Sequence, residues 1–122
     1  MKKILILLLI CLVGLEVFAS EWAELSDKKY IKIEKYQDGK VFYWVKALND
    51  GRFEPINKKT VNHKMSYFSS NCSNNTMAII SSYSYDMEGN VISNFNDAYY
   101  MFEPVVPQSI GETMHKYVCG YQ

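Results

Sequence analysis

The clearest pattern in the chain is a pair of alternating polar and apolar runs split by a tight polar turn. In KYIKIEKY (29–36), Ile31 and Ile33 alternate with Lys32 and Glu34, as in a strand with one buried face. Asp38-Gly39 follows, a strong hairpin signal between two such runs. KVFYWVKAL (40–48) is the next strand, with Val41, Tyr43, Val45 and Ala47 on one face and Phe42, Trp44 and Leu48 on the other beside two lysines. Residues 22–26 read as a short strand ahead of this pair, with SDKK as its turn. Residues 49–60 contain Asp50-Gly51 and Pro55 and read as a loop. Residues 61–72 make a fourth strand ending near Cys72, and residues 74–85, rich in β-branched and aromatic side chains, a fifth. DMEGN (86–90) is a turn and VISNF (91–95) a short sixth strand. Pro104 and Pro107 call for an extended run along the surface or the sheet edge over 96–107.

The period changes near the C-terminus. Ser109 and Glu112 form an S-x-x-E capping box. Ile110, Met114, Tyr117 and Val118 then make one apolar helical stripe, and Gly120 is placed to end it in a left-handed turn. A helix of about 10 residues is marginal alone in water, so the stripe must dock, and a sheet face is the surface on offer. The expected fold is α+β: an antiparallel sheet of about six strands with a C-terminal helix packed on one face.

The N-terminus changes the picture of where the protein works. Lys2 and Lys3 precede an apolar run over 4–15, and Val17 and Ala19 fill the small-residue positions before a cleavage site, the layout of a secretory signal peptide. The expected leader is 1–19, cut between Ala19 and Ser20, and residues 20–122 form a single domain. A lipid-carrying cysteine is normally preceded by a small residue, whereas Ile10 precedes Cys11. Cys11 therefore reads as an apolar residue of the leader, with a lipid anchor there as the alternative. Of 122 residues, 103 remain, with a net charge near −1 once Lys2, Lys3 and Glu16 are gone. They hold no basic patch suited to nucleic acid and no second apolar segment that would span a membrane. The expected location is the periplasm or the cell surface.

Two cysteines remain, Cys72 and Cys119. In an oxidising compartment such a pair bonds, and the crosslink would staple the last helical turn to the end of the fourth strand. Closing a loop of about 48 residues stabilises a fold by roughly 4 kcal/mol on the chain-entropy account. Two separate thiols or a metal pair is the competing reading.

Catalytic chemistry has little to stand on. His63 and His115 are the two histidines; each reads as a surface residue, and neither has metal-ligand spacing. Serines 66, 69, 70, 73, 81, 82 and 84 lack a G-x-S-x-G elbow and read as the solvent face of strands. Asp86 and Glu88 lie in a turn, where solvation is expected. No phosphate-binding loop is present. No metal and no cofactor is expected. The aromatic load is more informative: ten tyrosines and two tryptophans exceed what a small sheet can bury. Tyr83 and Tyr85, with Tyr99, Tyr100 and Phe102, are the candidate binding patch; core and cross-strand packing is the competing use.

Near its end the chain reads PVVPQSIGETMHKYVCG, and its parts come in the order of a Trp-bearing first strand, a Gly-turn hairpin into VFYWV, and a cysteine after SYFSSN. On these features residues 21–120 resemble the bacterial surface-adhesin protein E family. The resemblance implies a sheet of about six antiparallel strands with the C-terminal helix bonded to its concave face, and a cell-surface role in binding host proteins. The expected function is thus an exported, non-catalytic binding or adhesion module whose partner is a host extracellular or envelope protein. A periplasmic accessory protein serving its own cell is the alternative. A homodimer made by pairing of outer strands, or of the 95–108 segment, is a further expectation.

Overall fold

The computed structural model describes residues 22–120. Within them the strands are β1 (Ala23–Ser26), β2 (Lys29–Gln37), β3 (Lys40–Leu48), β4 (His63–Asn71), β5 (Thr76–Tyr85), β6 (Val91–Asn96) and the two-residue β7 (Glu103–Pro104); one helix, α1 (Ile110–Cys119), closes the chain. β1 to β6 lie side by side in chain order as an antiparallel meander, and β7 pairs with the start of β5 where β6 does not reach. The β2–β3 turn has both central residues at positive φ, Asp38 at 53° and Gly39 at 76°, as a type I′ turn requires.

Two residues per pleat sort each strand into two faces. On one face Ile31, Val45 and Ser66 form a row, and Ile33, Tyr43 and Phe68 the next. Helix α1 lays Met114 and Val118 on this face, completing a buried cluster with Ile31, Val41, Tyr43 and Val45. The hydroxyl of Tyr43 meets that of Ser70 at 2.8 Å, so the one polar end in the cluster is paired.

Local chemistry sets the helix ends. Ser109 is the N-cap and its hydroxyl accepts the Glu112 amide at 3.2 Å. The Glu112 carboxylate accepts the Gln108 amide at 3.1 Å, one residue earlier than the usual capping-box partner. Gly120 adopts φ 76° and donates its N–H back to the last turn. Cys119 is bonded to Cys72, with Cα atoms 5.6 Å apart across 47 positions. The helix is therefore tied to the sheet just past the end of β4.

Several expectations need correction. Residues 49–62 are not featureless: Ile56 and Lys59 bridge around Asn57 and Lys58, both at positive φ. Lysine rarely adopts that conformation, so the sequence gives no sign of this turn. Ser69, Ser70, Ser81 and Ser84 are buried rather than solvent-facing, because adjacent strands and covering segments close over small side chains. The segment after β6 does run along a sheet edge as expected, with Pro104 in β7 paired to the start of β5, while Pro107 lies in the turn before α1. The expected leader, including Cys11 and the Ala19–Ser20 cut, lies outside the described residues. No helix among the described residues is long and apolar enough to cross a membrane.

Candidate binding face

Opposite the helix, the sheet presents a second apolar surface with no helix over it. Its rows follow from the register. Tyr30, Lys46, Met65 and Tyr83 stand in one row; Lys32, Trp44, Tyr67 and Ser81 in the next; Lys35, Phe42, Ser69 and Ala78 in the third. Aromatic rings meet across the strands. Trp44 and Tyr67 lie 4.6 Å apart between centroids, Phe42 and Tyr67 6.2 Å, and Trp44 and Tyr83 6.4 Å. All four rings are half-buried, so each keeps part of its surface in water. Tyr100 and Phe102 meet edge-on at 6.0 Å. With Phe42, Tyr67 and Ile80 they line an open groove of about 460 Å³ that Lys35, Lys40 and Asp38 also border.

Three of the lysines on this face sit over aromatic rings. Lys35 lies 5.0 Å from the centroid of Phe42, Lys40 5.6 Å from Phe102, and Lys32 5.9 Å from Trp22. Ring faces carry negative potential, which holds an ammonium group while leaving it charged. The three salt bridges among the described residues, Arg52–Asp50, Lys59–Asp86 and Lys116–Glu112, all lie elsewhere. Glu34, at the bulge between Ile33 and Lys35, is turned onto the face, where its carboxylate accepts the Tyr67 hydroxyl. Burial, then that hydrogen bond and the negative charge beside it, push the Tyr67 phenol well above its ordinary range, so it stays a donor at any physiological pH.

The structure divides the tyrosine patch expected from sequence. Tyr83, Tyr100 and Phe102 join this face; the Tyr83 hydroxyl donates to Asn96 at 3.1 Å. Tyr85 is on the same side of β5 but at its far end, stacked on His63 at 4.6 Å. Tyr99 is 90% exposed, at the tip of a turn whose Asp97 carboxylate accepts its amide. The centre of the face, Phe42, Trp44 and Tyr67, lies outside the patch expected from sequence. The signal was present: Phe42 and Trp44 share a parity opposite to the core residues of β3, and a second face that is also aromatic marks either a second layer or a contact surface.

The histidines differ from expectation. His115, a residue of α1, is 3% exposed, its Nε2 3.3 Å from the Asn75 side-chain oxygen and its ring 3.7 Å from the Cys119 sulfur. Burial holds its pKa below the ordinary histidine value. His63 is half-buried against Tyr85, and burial followed by the Lys46 charge lowers its pKa as well. Asp86 is 2% exposed rather than solvated. Its carboxylate accepts the Asn90 and Glu88 amides and closes the β5–β6 turn; those bonds, with Lys59 nearby, hold its pKa down against the cost of burial. These three groups are far apart in role, each serving its own turn or strand pair, and among the described residues no three His, Cys, Asp or Glu side chains are grouped to hold a metal.

Residues 25–120 match the sequence profile of surface-adhesin protein E. The chain belongs to the surface-adhesin protein E family. The match runs from β1 to the glycine that ends α1, so Phe42, Trp44, Tyr67 and Tyr83 and the disulfide all lie inside it. Among solved structures, crystal form II of Haemophilus influenzae protein E superposes with a TM-score of 0.58 over 81% of this chain and 87% of that one, at 13% identity. At that identity the likeness is one of fold. No curated protein matches the chain in sequence. For an adhesin E domain the consequence is a division of labour between the two faces: the helix seals one, and the other keeps its rings and lysines at the surface.

Proposed function

We propose that the protein is an exported, non-catalytic adhesion module that grips a protein partner, from the host surface or extracellular matrix, through the aromatic face opposite α1. The observation that carries this reading is the cross-strand aromatic cluster of Trp44, Tyr67 and Tyr83 with Phe42 beside it, half-buried and uncovered by the helix. Aromatic rings set on a rigid sheet supply contact area at little cost in side-chain entropy, which is why they anchor protein interfaces. Membership of the surface-adhesin family supports the reading, and the leader-like N-terminus supports export.

Trp44→Ala and Phe102→Ala, each checked for folding by near-ultraviolet circular dichroism, are the test. Anchors at the centre of an interface lose about 2 kcal/mol or more, so adhesion to host cells or matrix should weaken about 30-fold or more. Adhesion unchanged in both folded variants would reject the face. Protease treatment of intact cells decides location: digestion places the protein outside, and protection instead favours an envelope-internal role with a partner from the same cell. Pairing of copies along the exposed edge strand β6 belongs to the same proposal; sedimentation showing only monomer at high concentration would remove it.

A further inference from the structure

We propose that the aromatic face takes an extended acidic polypeptide segment with Asp or Glu at alternating positions, a proposal that rests on reading this face as the binding surface. β2 and β3 place one lysine on each of four successive rungs: Lys46 opposite Tyr30, Lys32 opposite Trp44, Lys35 opposite Phe42, and Lys40 opposite Gln37. Same-face rungs along a strand recur at about 7 Å, two residues of rise. An extended peptide repeats its own side chains at that spacing, so carboxylates at every second residue meet successive lysines in one register. A helical segment, whose same-face residues recur at three and four positions, does not keep this step.

The charges favour an anion. Among the described residues, none of the four lysines is in a salt bridge. Three are already held over rings, which narrows the freedom they would lose on binding. The acid inside the ladder, Glu34, is committed to the Tyr67 hydroxyl. Glu24 sits at the margin, on the edge strand β1 opposite Tyr30, and Asp38, in the turn before Lys40, borders the groove beside Lys35 and Lys40 without a salt bridge to either. Ring surface between the lysines accepts the methylene stems of the acidic side chains and excludes water from the pairs formed above it.

The test uses the purified, disulfide-bonded protein and a fluorescein-labelled peptide of alternating Thr and Glu, about eight residues long. Fluorescence anisotropy should show binding that weakens between about 50 and 200 mM salt. Each of Lys32→Gln, Lys35→Gln, Lys40→Gln and Lys46→Gln should weaken it about two- to fivefold, and the four together more than about 20-fold. A peptide of the same composition with its glutamates in one block should bind at least about fivefold more weakly. Equal binding of the two peptides, no effect of the quadruple variant, or preference for a heparin chain over the peptide would each overturn the proposal. Cell adhesion separates it from the broader reading: loss in Trp44→Ala but not in the quadruple variant overturns the acidic segment alone, and retention in both overturns the two together.

Discussion

Tyr43 shows how much one side chain can decide. It is fully buried at the centre of the helix-covered face, and burial pushes its phenol up to about 12, with the Ser70 hydrogen bond tempering the rise. Tyr43→Phe keeps the ring but leaves the buried Ser70 hydroxyl without its partner, which costs about 1–3 kcal/mol. Urea denaturation should show that loss, and Tyr43→Phe combined with Ser70→Ala should recover most of it. Histidine titration sets a second expectation. The fold holds His63 and His115 below the ordinary value of 6.5, so below that pH the unfolded chain binds more protons than the folded one. Stability is complete above about pH 6.5 and declines as pH falls through the lowered folded values. The urea midpoint should therefore be lower at about pH 5.5 than at about pH 7.5, and His115→Asn should reduce the difference. Asp86, whose pKa is depressed, adds a separate loss at lower pH, below the ordinary carboxylate range.

At the scale of elements, α1 depends on its attachments more than on its own propensity. Ten residues with good caps remain marginal without a docking surface. Met114 and Val118 supply that contact, and Met114→Ala should cost about 2–5 kcal/mol through lost burial and the cavity left behind. The Cys72–Cys119 bond restrains the same helix from its other end. Replacing both cysteines by serine should remove about 4 kcal/mol, most of a small domain's stability. Hydrogen exchange should then show α1 losing protection first, while the β2–β3–β4 amides remain the slowest. Equal protection of helix and sheet in the reduced form would contradict this account.

Over the whole molecule, a single sheet is asked to serve two faces. One helix of this length covers β2 to β4 on one side, and the cluster it closes is the main buried core among the described residues. Since helix and sheet share that core, thermal unfolding of the oxidised protein should be a single transition, with far-ultraviolet dichroism and tryptophan fluorescence coinciding. The opposite face has no helix laid on it, since the described residues form only the one. The segment after β6 covers part of it, bringing Tyr100 and Phe102 beside Phe42 and Tyr67 and turning a flat platform into a groove.

Strand positions, the Asp38-Gly39 turn, the caps of α1 and the pairing of Cys72 with Cys119 were all readable from the chain. Each depends on local chemistry: two-residue alternation, a turn needing positive φ, a hydroxyl three residues from a carboxylate, and two cysteines with one way to pair. The contents of the aromatic face were not. Tyr83 and Tyr85 are two residues apart on one strand, yet one joins Trp44 and the other stacks on His63, because cross-strand register across β3, β4 and β5 assigns their neighbours. His115 and Asp86 look like surface groups in sequence and are buried in space, since burial is fixed by what folds over a residue from elsewhere. Local pattern sets which elements form and which side each residue takes; only the meeting of distant strands, and the choice of which face the helix seals, decides which rings and lysines remain for a partner.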